Sequence, residues 1–208
     1  MSKRAPCVVS VADHTGWAYV VCVAATNHVP SVIARRRVTL IDAGLPTQPY
    51  EHDTTAMRED EADALVARVR RSIASVTSTA LKRLVTELAP AHAVVALAIR
   101  KPPFDKLPAT VADARASSRI LYAADGMMYQ QAICRAARDL DIEVRLCRRG
   151  EESTQAAEHL DVTADEIEAF VGRTGRPAGP PWTQEHRRAF AVGMAALARH
   201  VRGRLRIA

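Results

Sequence analysis

The feature that most constrains the fold of this chain is a continuous apolar run near its middle. Residues 93–99 read Ala-Val-Val-Ala-Leu-Ala-Ile, and Lys101, Pro102 and Pro103 then end the run. Such a run without polar positions is typical of a strand that is buried on both faces, as in sheets covered by helices on each side. We therefore expect an α/β fold with a central sheet flanked by helices.

The first forty residues predict three antiparallel strands. Residues 7–13 and 17–23 are β-rich runs on either side of a His-Thr-Gly turn, and a third strand is expected over residues 32–41. The centre of this third strand, residues 35–37, is Arg-Arg-Arg, which puts charge on both faces. That pattern suits an exposed edge strand protected from aggregation.

The segments after this meander alternate between helix and strand. Apolar residues at steps of three or four predict a helix over about residues 57–88, with a kink or break at 75–79, where poor helix formers cluster. Asp125 is expected to cap a helix that runs to about residue 140. A half-exposed strand is expected over residues 142–147, where apolar and charged residues alternate.

The last fifty residues predict two more helices. Thr163 and Glu166 form a capping box for a short helix that ends near residue 172. Residues 172–181, rich in Gly, Pro and Arg, read as a loop, and the terminal helix is expected from about 183 to 202. Without repeats or a change in composition, residues 1–208 are expected to form one domain that ends in a basic tail at 203–208.

Composition excludes several classes of protein. The chain carries 29 Lys and Arg against 23 Asp and Glu, a net charge of +6, and has no apolar run long enough to cross a membrane. It lacks the phosphate-binding loop, dinucleotide, zinc-protease and serine-esterase motifs, and no signal peptide is expected. The four scattered cysteines include no C-x-x-C pair, so we expect reduced thiols and a cytoplasmic location.

The predicted element order resembles that of the ribonuclease H-like superfamily, in particular the RuvC-type Holliday-junction resolvases. The resemblance spans nearly the whole chain and rests on the layout and on three local features. Residues 13–18 place an acid and a Gly-containing turn after an apolar strand, the helix to residue 140 leads directly into the strand at 142–147, and the terminal helix opens with Glu185-His186. The fold implied is a five-stranded mixed sheet, three antiparallel strands followed by two added strands, flanked by helices.

The resemblance also implies a function and a cofactor. Enzymes of this kind hydrolyse phosphodiesters with two Mg²⁺ or Mn²⁺ ions, which prefer oxygen ligands. Their carboxylates come from the first strand, the fourth strand and the terminal helix. By analogy the protein would act on DNA or RNA as a homodimer.

Asp13 and His186 are the favoured candidates for catalysis and for holding metal. Asp13 shares its strand face with Val9 and Val11, where an acid is costly unless it is bound to a metal or hydrogen-bonded. The alternative is that Asp13 begins the turn and accepts backbone N–H groups. The phase of the terminal helix aims His186 toward the sheet, and its alternative is a histidine at the core edge that bonds to backbone.

Asp125 and Glu185 are the remaining catalytic candidates. The fourth strand has no acid and is followed by Arg100 and Lys101, so Asp125 could replace the missing carboxylate. As a helix N-cap Asp125 needs no metal. Glu185 also fits a plain role, as a first-turn acid favourable to the helix dipole.

The excess of basic over acidic residues suggests a phosphate-binding surface. Arg188, Arg199, Arg202 and Arg206 fall on one stripe at the end of the chain and are our candidates for nucleic-acid contact. The alternative is a solvated helix face with an unstructured basic tail. The two tryptophans and four tyrosines are too few and too dispersed in sequence to predict a base-stacking platform, so contact through phosphates is expected.

Three functional interpretations remain open. The first is a divergent metal-dependent nuclease that acts on structured or branched nucleic acid. The second is a non-catalytic member of the same fold that has lost its metal site and serves in binding or assembly, and the missing fourth-strand acid favours it. The third is an actin-like ATPase, whose first phosphate loop also follows a strand. Those proteins need two such domains, and this chain is long enough for one.

Overall fold

The protein, described here from a computed structural model, is built on one five-stranded sheet. The structure describes residues 4–201 and 203–207, without the side chains of 176–178. The strands are β1 (Ala5–His14), β2 (Trp17–Thr26), β3 (Val29–Thr39), β4 (His92–Arg100) and β5 (Glu143–Cys147). The sheet order is β3-β2-β1-β4-β5, in which the first three strands are antiparallel and β1, β4 and β5 are parallel.

The helices cover both faces of this sheet. They are α1 (Glu59–Leu88), α2 (Val111–Arg115), α3 (Ser118–Arg138), α4 (Glu152–Leu160), α5 (Ala164–Ala178) and α6 (Gln184–Ala198), and a π-helical turn spans Pro49–Asp53. None of the helices within the described residues is long and apolar enough to cross a membrane.

The alternation of side chains along β1 and β4 creates two separate cores. Val9 of β1 and Leu97 of β4 pack in the core beneath α1 and α3. Val8 and Ala98, their neighbours in sequence, pack in the core beneath α6. The apolar run of the fourth strand is thus buried on both faces, as predicted. The edge position predicted for the third strand is also confirmed, because among the described strands β3 pairs with β2 alone.

The predicted break in the first long helix is wrong. α1 continues through residues 75–79, and Thr77 in that segment is buried. Ile73 and Leu81 on either side are buried against the sheet, and this packing outweighs the low helix propensity of the segment.

Asp125 does not begin a helix. α3 starts at Ser118, so Asp125 lies in its interior, buried, and its two carboxylate oxygens accept the backbone N–H groups of Tyr50 and Glu51, each at 3.0 Å. The carboxylate therefore satisfies the first turn of Pro49–Asp53, a different element of the fold.

The predicted loop at residues 172–181 is largely helical. α5 continues to Ala178, and the lack of a side chain at Gly175 lets the ring of Trp182 lie directly on this helix: a Cβ at Gly175 would lie 1.9 Å from Trp182 Cδ1. The short helices α2 and α4 and the π-helical turn were not predicted, since each is too short to establish a period.

The terminal helix ends at Ala198, and the described segment after it packs against α6, α4 and the β2–β3 turn. Leu205 is buried in the core beneath α6, the backbone N–H of Arg206 donates to His28 O at 2.8 Å, and Arg204 donates to the backbone of Leu160 at 3.0 Å. The described part of the predicted tail, residues 203–207, thus lies along the end of the sheet where the β2–β3 turn is found.

Candidate functional site

Asp13 lies at the carboxyl end of β1, on the face covered by α1 and α3. Its side chain is 4% exposed, and Oδ2 accepts hydrogen bonds from Gln130 of α3 at 3.0 Å and from Arg100 of β4 at 3.3 Å. The expected face is correct, since Val9 and Val11 lie in the core on that side. A buried carboxylate needs such partners, and here a cation and an amide supply them.

Arg100 reaches Asp13 because β1 and β4 are parallel neighbours and end at the same edge of the sheet. Its side chain is 36% exposed, so the guanidinium has one side on Asp13 and another toward solvent. The resemblance expects an acid near this end of the fourth strand. A cation stands there instead, and it neutralises the carboxylate of the first strand.

A surface cleft opens beside this pair. It is lined by Asp13 and Arg100 and by charged residues that follow β5 or begin α6, namely Arg149, Glu152, Glu185 and Arg188. Glu185 lies between two basic side chains, with one oxygen 3.7 Å from Arg188 Nη1 and the other 3.9 Å from His14 Nε2. The structure therefore brings Asp13 and Glu185 to one cleft, together with three arginines.

His186 lies on the opposite face of the sheet from Asp13. It contacts Tyr19, with 4.1 Å between ring centroids, and Tyr19 pairs directly with Ala12, the residue before Asp13. Paired residues share a face and successive residues alternate, so the sheet lies between the two predicted metal ligands.

The ring of His186 is also occupied by local contacts. It is buried, its Nδ1 accepts the backbone N–H of Thr183 at 3.2 Å, and it stacks on Trp182. Burial lowers the pKa of this imidazole, and the nearby charge of Arg35 lowers it further. These contacts favour a neutral ring that caps the start of α6.

Asp125 does not line this cleft. Both of its carboxylate oxygens accept hydrogen bonds from the backbone N–H groups of residues 50 and 51. Burial raises its pKa to about 6, and the two N–H groups oppose that shift. The structure does not bring Asp125 into contact with Asp13.

The predicted arginine stripe is divided by the structure. Arg188 and Arg199 are exposed on the same face of α6, eleven residues and about 16 Å apart. Arg188 lines the cleft beside Asp13, whereas Arg199 lies 3.3 Å from His159 of α4. Arg206 is exposed at the other end of the sheet, and Arg202 lies outside the described residues.

The donor set does not fit a pair of Mg²⁺ or Mn²⁺ ions. These ions need several oxygen ligands from one cluster, whereas Asp13 is paired with a guanidinium and Glu185 lies beside two further basic groups. Over residues 4–201 and 203–207, no cluster of three or more Asp, Glu, His and Cys could hold a metal ion.

The expectation of dispersed aromatic residues is confirmed for Tyr50, Tyr122 and Tyr129 but is wrong for the tryptophans. Both tryptophans, Trp17 and Trp182, belong to one cluster with His14, Tyr19 and His186 on the α6 face of the sheet. Sequence distance hid this cluster, because the two tryptophans are far apart in the chain. The alternation of Trp17 and Tyr19 along β2 was the available sign that two rings share one face.

Comparison with solved structures identifies the fold. The structure of RuvC from Thermus thermophilus aligns with a TM-score of 0.56 and 10% identity, over 93% of this chain and 95% of that chain. T. thermophilus RuvC in complex with a Holliday junction substrate aligns with a TM-score of 0.54 and 11% identity, over 93% and 94% of the two chains. The strand order and these neighbours show a ribonuclease H-like fold.

Comparison at the level of sequence adds no relative. No protein-family model matches this chain, and no curated protein matches it.

Proposed function

We propose that this protein binds structured or branched nucleic acid, DNA or RNA, as a non-catalytic module of the ribonuclease H-like fold. One observation carries the proposal: Arg100 pairs with Asp13 at the end of β1. A guanidinium in this place opposes binding of a divalent cation and favours binding of an anion. The same fold holds a Holliday junction in T. thermophilus RuvC.

The cleft has the chemistry of a phosphate contact. Arg100, Arg149 and Arg188 present guanidinium groups around it, and guanidinium matches phosphate oxygens in paired hydrogen bonds. Two of its three acids already face a guanidinium, since Asp13 accepts from Arg100 and Glu185 lies beside Arg188, and Glu152 is the third acid of the lining. The net charge of +6 would attract a polyanion from any direction and speed its association.

The proposal is tested by measuring binding as a function of salt. Fluorescence anisotropy with a labelled four-way junction, a duplex and a single strand, each as DNA and as RNA, gives the affinities. We expect the Arg149→Ala/Arg188→Ala variant to bind about tenfold more weakly and to lower the salt slope by about two. A charge-matched control, Arg71→Ala/Lys82→Ala on the exposed side of α1, should bind like the wild type.

Binding that does not weaken with salt, or equal losses in the two double variants, would rule out the cleft as the phosphate site. Wild-type protein that binds none of the six nucleic acids would end the proposal altogether.

Metal-dependent cleavage of the same substrates is the second candidate function. The observation in its favour is that Asp13, Glu152 and Glu185 line one cleft. Holding Mg²⁺ or Mn²⁺ there requires Arg100 to leave Asp13. Incubation of the junction with Mn²⁺ decides between the two candidates: we expect no cleavage, whereas cleavage that Asp13→Asn abolishes would establish a nuclease. Cleavage that survives in Asp13→Asn would come from a contaminant.

A further inference from the structure

An aromatic stack adjoins the arginine cleft at the β1–β2 turn. The imidazole of His14 lies parallel to the indole of Trp17, with 4.0 Å between ring centroids and 9° between planes. The guanidinium of Arg37 lies 4.4 Å from the same indole. Because β2 lies between β1 and β3, Trp17 has His14 on one flank and Arg37 on the other.

The register of the sheet builds this stack. His14 and Trp17 are direct partners across β1 and β2, and Arg37 is the partner of Tyr19, one step further along β2 on the same face. Tyr19 supports the stack from below, meeting Trp17 edge-on at 4.9 Å. The stack is thereby fixed in place by two strand pairings and a third ring.

The stack is accessible to solvent. The side chain of His14 is 35% exposed, Trp17 is half-buried and Arg37 is exposed. Contiguous apolar surface rimmed by polar residues marks a contact with a partner, and this chain, with an aromatic content of 4%, has few rings to build such a surface from. Both of its tryptophans belong to the cluster that contains this stack.

The stack adjoins the cleft at Glu185. His14 directly follows Asp13, and its Nε2 lies 3.9 Å from Glu185, which lines the cleft with Arg188. The Nε2 atom of His14 is itself buried, and the exposed 35% of the side chain is where a strand whose phosphates lie on Arg149 and Arg188 would meet the ring. Flat π-systems next to phosphate-binding arginines are the combination that proteins use to bind unpaired bases.

We propose that the His14–Trp17–Arg37 stack holds an unpaired base of the nucleic acid whose phosphates lie in the arginine cleft. The inference rests on the proposed function and narrows its ligand to nucleic acid with a single-stranded segment, as at a branch or flap. The base adds one ring to the stack through its π-face. Paired bases inside a duplex are already stacked and cannot do this, so binding here selects for the unpaired state.

The fluorescence of Trp17 reports whether a base binds to the stack. In the Trp182→Phe variant Trp17 is the sole tryptophan, and titration with a single-stranded oligonucleotide should quench its emission, whereas a blunt duplex of equal length should leave it nearly unchanged. On the same background His14→Ala should bind the single strand about five- to twentyfold more weakly and the duplex within about twofold of the parent.

Two further variants separate stacking from other effects. His14→Phe keeps a flat ring but no charge, so it should retain most of the single-strand affinity. If His14 acts only through its charge beside Glu185, the Phe variant will behave like the Ala variant and overturn the inference. His52→Ala, which removes an exposed histidine from the π-helical turn, should bind both ligands like the parent.

The two proposals fail in different ways. If binding depends on Arg149 and Arg188 but His14→Ala changes neither affinity nor quenching, the stack is not a base site and the proposed function stands. An equal loss on the duplex and the single strand would point to end-on stacking or to charge, and would overturn the selection for unpaired bases. An absence of binding to every nucleic acid would remove both proposals.

Discussion

Arg100 and Asp13 form an ion pair between neighbouring parallel strands, with 3.3 Å between Nη2 and Oδ2. The sheet topology imposes this proximity, because β1 and β4 run side by side and end at one edge. The resemblance to the resolvases predicts acids that hold a metal ion at this edge of the sheet. Here the cation that faces Asp13 is the side chain of Arg100. We expect the stability of this edge to depend on Arg100, and the proposed function makes its ligand preference depend on Arg100 as well.

Removing the cation should destabilise the protein. Arg100→Gln leaves the carboxylate of Asp13, 4% exposed, with Gln130 as its remaining hydrogen-bond donor. Because an unpaired buried charge is costly, we expect the free energy of unfolding in urea to fall by about 2–3 kcal/mol. Asp13→Asn should cost less, and the double variant should show coupling of at least about 1 kcal/mol. If the double variant loses the sum of the two single losses in free energy of unfolding, the interaction between Arg100 and Asp13 does not contribute to stability.

Asp125 should make stability depend on pH. Burial raises the pKa of its carboxyl from the usual value near 4 to about 6 in the folded state. The folded protein therefore keeps this proton between about pH 4 and 6 while the unfolded chain loses it. The contribution of Asp125 to stability is largest below about pH 4 and is lost as the pH rises through 6, by up to about 3 kcal/mol.

Thermal unfolding of the wild type and Asp125→Asn across pH 4–8 measures this effect. As the pH rises through 6, the Tm of Asp125→Asn should increase relative to the Tm of the wild type. A constant difference between wild type and Asp125→Asn would contradict the raised pKa.

Two glycines in helices should respond oppositely to alanine. A Cβ at Gly193 of α6 would lie 2.6 Å from Val23 Cγ2 and 3.2 Å from Ser10 Cβ, whereas a Cβ at Gly126 of α3 meets no atom within 4 Å. Alanine adds up to about 1 kcal/mol of helix propensity at either site. Overpacking against the sheet outweighs this gain at Gly193, so Gly193→Ala should destabilise by about 1–2 kcal/mol and Gly126→Ala should stabilise by about 0.5–1 kcal/mol. Urea unfolding of both variants measures the changes, and stabilisation by Gly193→Ala would show that α6 can move away from the sheet.

The sequence predicts the features that depend on local residue patterns, but it does not determine those that depend on tertiary contacts. The apolar run at 93–99 and the β-rich runs before residue 41 are sufficient to predict the mixed sheet, since burial on both faces allows few architectures. Asp125 was misplaced because Asp before Gly indicates a helix start, and only tertiary contact shows that its carboxylate serves residues 50 and 51. Arg100, the partner of Asp13, directly follows the apolar run in the sequence. That it pairs with Asp13 can be inferred only from the strand order, which places β4 beside β1.

A last prediction concerns divalent metal. If Arg100 excludes metal from Asp13, millimolar Mn²⁺ should shift the Tm of the wild-type protein by less than about 1 °C, because a ligand that does not bind the native state does not stabilise it. Arg100→Glu places a second carboxylate beside Asp13, so without metal it should unfold at a lower temperature than the wild type through like-charge repulsion. Mn²⁺ should recover several degrees of that loss in Arg100→Glu and little in Arg100→Gln, which offers no second carboxylate. A clear Mn²⁺ shift in the wild type that Asp13→Asn removes would instead show that the guanidinium yields to the ion, and would make the nuclease the better description of this protein.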